Sequence, residues 1–239
     1  MQKPVTKILA ALFALVCIVD VLLLAFGKED IPRYIKPFLV PLLAVTVLSA
    51  CAPCKEKWLY LLMTALLFHT AGDILLLFDH ISSIYFMLGL VSFLIGHVFY
   101  ILLFYPATAL KAGLGTGRVI LQIVIPSVAV PACIVPLIGI GWPMNAAMII
   151  YATALFVMVT CGVAGALAKI PFSPWLIAGA MLFFISDLMI ALSAFVGVDF
   201  PLRHSLTMGT YLIAQACLVS AALGMYGKPF FVCNSRKKA

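Results

Sequence analysis

Charge is what this chain has least of. Asp and Glu number eight and Lys and Arg fifteen in 239 residues, so charged side chains make up 10% of the sequence, against about 25% in a soluble domain. With 65% hydrophobic residues and a mean hydropathy of +1.23, that scarcity excludes a soluble globular fold and predicts an all-α, polytopic membrane protein. Long polar stretches are missing too. Apolar runs recur from end to end with short gaps, which predicts one membrane-embedded domain over 1–239 and no appended soluble domain. The net charge is +7, but no basic patch accompanies it. Lys and Arg are scattered through loops and ends, which argues against nucleic acid and assigns them to topology. The first run, Ile8 to Phe26, lacks a small-residue cleavage site and is expected to stay as a helix, not leave as a signal peptide.

Cysteine is present at 17, 51, 54, 133, 161, 217 and 233, without the neighbours that would make it a metal site. Cys51 and Cys54 have CxxC spacing, yet no second Cys or His pair lies nearby, so packing as small hydrophobes is preferred over zinc or redox chemistry. Internal repeats are absent. The Gly113-Leu-Gly-Thr-Gly117 loop lacks the strand and helix that frame a phosphate-binding loop.

At roughly 17 to 25 apolar residues per crossing, the runs predict eight transmembrane helices: about 7–26, 36–52, 58–78, 83–105, 118–139, 143–167, 173–197 and 205–226. Pro32, Pro53, Pro106, Gly141 to Pro143, Pro171, Pro174, Pro201 and Pro229 punctuate them, and Pro126, Pro131 and Pro136 predict a kinked fifth span. An even number of spans puts both termini on one side. That side carries most of the Lys and Arg, with only Lys28, Arg33, Lys36 and Arg203 opposite, so both termini are expected in the cytoplasm. The C-terminal Arg236-Lys-Lys-Ala239 suits either a bacterial cytoplasmic membrane or, in a eukaryote, retrieval to the endoplasmic reticulum.

Against this background the intramembrane polar residues stand out. Asp187 lies inside the apolar run Trp175 to Val198, where lipid cannot hydrate a carboxylate; such a group faces a protein interior or cavity and marks a transport path or a reaction site. Asp73 follows His69 by four residues, so the two share a helix face and could hydrogen-bond. Gly72 beside it permits close approach of a helix or a substrate. Asp20 reads as a structural hydrogen bond or a snorkelling group, and Glu29, Asp30, Glu56, Asp79 and Asp199 read as solvated loop acids. Gly89, Phe93, His97 and Tyr100 fall on one face of the fourth span, and Thr207, Tyr211 and Gln215 on one face of the eighth. Lys36-Pro37 is expected to open the second span, as a phosphate ligand or as a helix anchor. Rise along each helix predicts Asp73 and Tyr211 in the outer third, His69, Asp187 and Gln215 near the middle, and His97 further in.

The set Ile35-Lys-Pro37, Gly72-Asp73, Gly89-x3-Phe93-x3-His97-x2-Tyr100, Phe183-Phe-Ile-Ser-Asp187 and Thr210-Tyr-Leu-Ile-Ala-Gln215, in that order, resembles the YhhN-type membrane proteins, the lysoplasmalogenase family. Members often carry two consecutive tyrosines where this chain has Tyr211-Leu212. The resemblance implies an eight-helix hydrolase that cleaves the vinyl ether of lysoplasmalogens to a fatty aldehyde and glycerophosphocholine or glycerophosphoethanolamine. It also implies Asp73 and Asp187 as catalytic residues. A vinyl ether hydrolyses by proton delivery to the outer alkene carbon, capture of the oxocarbenium ion by water, and collapse of the hemiacetal. Two carboxyls in different surroundings suit that sequence, and removal from water helps a carboxyl keep the proton it must deliver. His97, Tyr100, Tyr211 and Gln215 are then candidates for orienting water or substrate and Lys36 for the head-group phosphate, with a lysophospholipid and the bilayer as partners and no cofactor. Three other readings stay open: a transporter or a receptor using the same acids, and a metal-centred hydrolase built on His69, His97, Asp73 and Asp187.

Overall fold

The computed structural model describes residues 4–28, 30–51, 56–111, 113, 115, 124–135, 141–142 and 144–226, and every regular element among them is helical. The elements are α1 (Pro4–Ala25), α2 (Asp30–Cys51), α3 (Lys57–Leu76), α4 (Ser83–Tyr105), α5 (Ile125–Ile134), α6 (Met144–Leu167), α7 (Ser173–Ala191) and α8 (Arg203–Met225). All but α5 are long and apolar enough to cross a membrane, which makes seven candidate spans among the described residues. The expected fifth span, 118–139, is described only over α5 and residues 124 and 135. Arg118 and Pro136 lie outside the described residues, as do Lys3, Glu29, Pro53, Cys54, Lys55, Pro143, Pro229, Cys233 and the C-terminal basic run.

Two expected boundaries move, both because of where proline sits. Helix α2 begins at Asp30, not at Lys36. Pro32 falls in its first turn, where a missing N–H leaves no bond unmade, and Lys36 lies well inside the helix. Pro106 does not stop the fourth span. The helix runs on through a π-helical turn, Pro106–Leu110, with Ala107, Thr108 and Ala109 buried; the wider turn tolerates a residue that cannot donate to the regular ladder. A second π turn, Leu192–Val196, extends α7.

Each long helix packs on the next in sequence except that α4 skips to α6, and α8 returns to α1. Seven helices therefore close a ring. The short α5 rests against α6. Helix α8, which touches α1, α2 and α7, buries twelve residues, among them Tyr211, Gln215 and Leu218, whereas Asp20, Phe13 and Thr6 are the only buried residues of α1. Close contact depends on glycine at Gly96, where a Cβ would lie 2.5 Å from the His69 ring and 3.2 Å from the Ala65 carbonyl oxygen. Gly96→Ala is expected to destabilise the protein by roughly 1–3 kcal/mol through overpacking. Thermal unfolding in detergent checks this against Gly115→Ala, at a glycine whose Cβ would meet nothing within 4 Å among the described residues.

Candidate active site

Asp73 is held by groups from two other helices. The Tyr211 hydroxyl of α8 donates to Asp73 Oδ2 at 2.7 Å, and Lys36 Nζ of α2 lies 3.6 Å from Oδ1. Only 2% of Asp73 is exposed, so without those partners its charge would be stranded in a low dielectric. The expected hydrogen bond between His69 and Asp73 is not made. Helical side chains lean toward the N-terminus, and His69 Nδ1 donates instead to the Ala65 carbonyl at 2.7 Å. His97 Nδ1 does the same to Phe93 at 2.6 Å.

Asp187 has a different environment. The Tyr151 hydroxyl of α6 donates to Asp187 Oδ2 at 2.7 Å, and no Lys or Arg among the described residues lies within ion-pair distance of it. Asp187 is half-buried and sits in the wall of an apolar cavity of about 400 Å³ between α4, α5, α6 and α7. Among the described residues it is the only charged one lining that cavity.

Between the two acids lies an aromatic cluster. The Phe183 ring meets His97 edge-on at 4.5 Å between centroids and Tyr211 at 5.3 Å. His69 and His97 lie 5.1 Å apart, and Phe93 is 6.0 Å from Tyr211. The Tyr100 hydroxyl donates to Gln215 Oε1 at 2.6 Å. Gly72 gives room to a side chain of the next helix: the Phe93 ring lies 2.9 Å from where its Cβ would be. Among the described residues no group of three or more His, Cys, Asp or Glu converges as a metal site would require.

A second cavity, polar and about 420 Å³, opens between the ends of α1, α2, α3 and α8. Its wall includes Asp20, Asp30, Arg33, Lys36, Asp79, His80, Arg203 and Thr207, and it shares Leu76, Phe86 and Ile190 with the apolar cavity. The two spaces are thus neighbours. Asp30 and Asp79, expected only as loop acids, belong to its wall; Asp199 pairs with Arg203 at 3.2 Å and Glu56 accepts from the Trp58 indole at 2.9 Å.

Every candidate residue from the sequence therefore faces the ring interior or a cavity. Lys36 joins Asp73 and Tyr211, Tyr100 joins Gln215, and His97 packs by Phe183; Asp187 stands apart with Tyr151. Tyr151 was missed, although a tyrosine near the middle of a membrane-spanning run is a polar signal of the same kind as Asp187. Arg33 and His80 were missed because they meet only in space: Arg33 Nη2 lies 3.0 Å from both the Leu77 carbonyl and His80 Nε2.

A family model described as the YhhN family matches residues 32–222. None of the curated proteins and none of the solved structures matches.

Proposed function

The chain belongs to the YhhN family, and from that premise we propose that it is a membrane-embedded hydrolase of lysoplasmalogens that cleaves their vinyl ether bond by general acid/base catalysis. The observation that carries the proposal is the junction of the two cavities. An apolar space with one carboxyl in its wall adjoins a polar space lined by Arg33, Lys36 and Arg203, which suits an amphiphile with one aliphatic chain and a phosphate head.

In this reading the chain lies among Met87, Leu90, Phe156 and Leu188, and the vinyl ether reaches Asp187. Asp187, which has a phenol but no cation beside it, delivers its proton to the outer alkene carbon. The electron pair of the double bond forms the new C–H bond, and positive charge develops on the ether carbon and oxygen. Phe93 lines the same cavity, and an aromatic face favours a nearby cation. Water then adds to the ether carbon and gives up a proton toward Asp73, whose charge is balanced by Lys36 and steadied by Tyr211. When the hemiacetal collapses, its hydroxyl proton returns to Asp187 and the glycerol oxygen leaves with the proton held at Asp73. Both acids are restored, and the products are a fatty aldehyde and the glycerophospho head group.

The test is aldehyde release by purified protein from a lysoplasmenyl lipid and from its acyl counterpart. Turnover of the first and not the second is expected. Binding or movement of the intact lipid without release would sink the hydrolase and leave a transporter or receptor. Tyr151→Phe is expected to lower kcat about 10-fold with little change in KM, the scale of one hydrogen bond to an ionisable group; steady-state kinetics check it.

A further inference from the structure

Asp20 was expected to make a structural hydrogen bond or to snorkel, and it does neither. The residue is fully buried, and neither carboxyl oxygen has a hydrogen-bond partner among the described residues. It nevertheless belongs to the wall of the polar cavity, below the exposed acids Asp30 and Asp79. Two acceptor oxygens in such a place call for donors carrying positive charge.

The neighbouring cations direct no hydrogen bond to Asp20. Lys36, on the same cavity wall as Asp20, directs its ammonium to Asp73 at 3.6 Å. The Arg33 guanidinium is turned to the Leu77 carbonyl and His80, and Arg203 to Asp199 and His204. Among the described residues nothing donates to Asp20, and an occupant of the cavity can supply the missing donors.

We propose that the polar cavity binds a primary ammonium group of its ligand, with Asp20 as the acceptor. The inference rests on reading this cavity as a head-group site. The opposing sign of Arg33 and Lys36 on the same wall makes the fitting ligand a zwitterion, with phosphate toward the cations and ammonium toward Asp20. A primary ammonium offers three N–H donors to those oxygens, whereas a trimethylammonium offers none and prefers a cage of aromatic faces. Phe86 is the only benzenoid ring among the described residues lining this cavity, and one ring does not make such a cage. Helix α1, which supplies Asp20, precedes the region matched by the family model, 32–222. The discrimination therefore comes from a part of this chain that the family match does not cover.

Non-hydrolysable 1-O-alkyl lysophospholipids read this without catalysis. Calorimetric titration of the full chain in detergent uses three head groups: phosphoethanolamine, phosphocholine and phosphoglycerol. Wild-type protein is expected to bind the ethanolamine lipid at least about 10-fold tighter than either other lipid, the scale of one charge-assisted contact. Asp20→Asn is expected to bring the three within about 3-fold, and Asp20→Glu to keep the order. Equal binding of the three by wild-type protein, or an ethanolamine preference that survives Asp20→Asn, overturns the proposal, as does absence of binding. Preference on the alkyl lipids combined with no aldehyde from the vinyl ether lipid supports the ammonium site and rejects the hydrolase, so the two failures are separable.

Discussion

Asp187→Asn is expected to reduce aldehyde release from a lysoplasmenyl lipid on the order of 10³-fold, the range that general acid catalysis supplies. The reason is local. Among the described residues Asp187 is the only charged side chain lining the apolar cavity, so no second carboxyl there stands ready to deliver a proton in its place. An amide keeps the shape and still accepts from Tyr151, whose bond to Oδ2 is 2.7 Å, so the variant is expected to elute as wild type does on size exclusion. Lys57→Gln, at an exposed residue at the start of α3, is expected to stay within two-fold of wild type. Full activity in Asp187→Asn would remove this residue from the mechanism.

The Lys36 and Asp73 pair carries the second large effect, and it is asymmetric. The Asp73 side chain is 3% exposed and that of Lys36 is 21% exposed, so losing the lysine strands the more buried charge. Lys36→Met is expected to destabilise the protein by about 3–5 kcal/mol. Asp73→Asn leaves a lysine that can reach water in the polar cavity, and its stability loss is expected to be smaller while aldehyde release falls on the order of 10²-fold or more. The double variant separates the roles: stability is expected to return toward wild type once no unpaired charge remains, while activity stays absent. Unfolding in detergent and aldehyde release, measured on all three, check both statements. Recovery of activity in the double variant would show that Asp73 serves only to balance Lys36.

Much of the candidate site was legible because the membrane penalises polarity. Asp73, Asp187, His97, Tyr100, Tyr211 and Gln215 are conspicuous against apolar runs, and each faces the bundle interior or a cavity. Their pairing was not legible. His69 and Asp73 share a helix face, but the i,i+4 spacing that brings them together also lets His69 reach the Ala65 carbonyl, and that bond is the one made. Tyr151 lies 36 residues from Asp187 in sequence, and Arg33 lies 47 from His80. Asp20 shows the same limit from the other side: one acid in an apolar helix reads as a structural hydrogen bond or a snorkelling group, and only the packing of α2 and α8 places it in one cavity wall with Lys36.

By itself, the sequence determined that this protein lives in a membrane, that helices carry it across, and which side chains lipid could not host, since hydropathy and the bilayer's intolerance of unpaired polar groups are local properties of the chain. Only the tertiary structure decided that α4 meets α6, that α8 returns to α1, and that one aspartate takes a lysine while the other takes a phenol. Those choices depend on which faces meet once the ring closes, and helical spacing fixes a residue's face without fixing what stands opposite it.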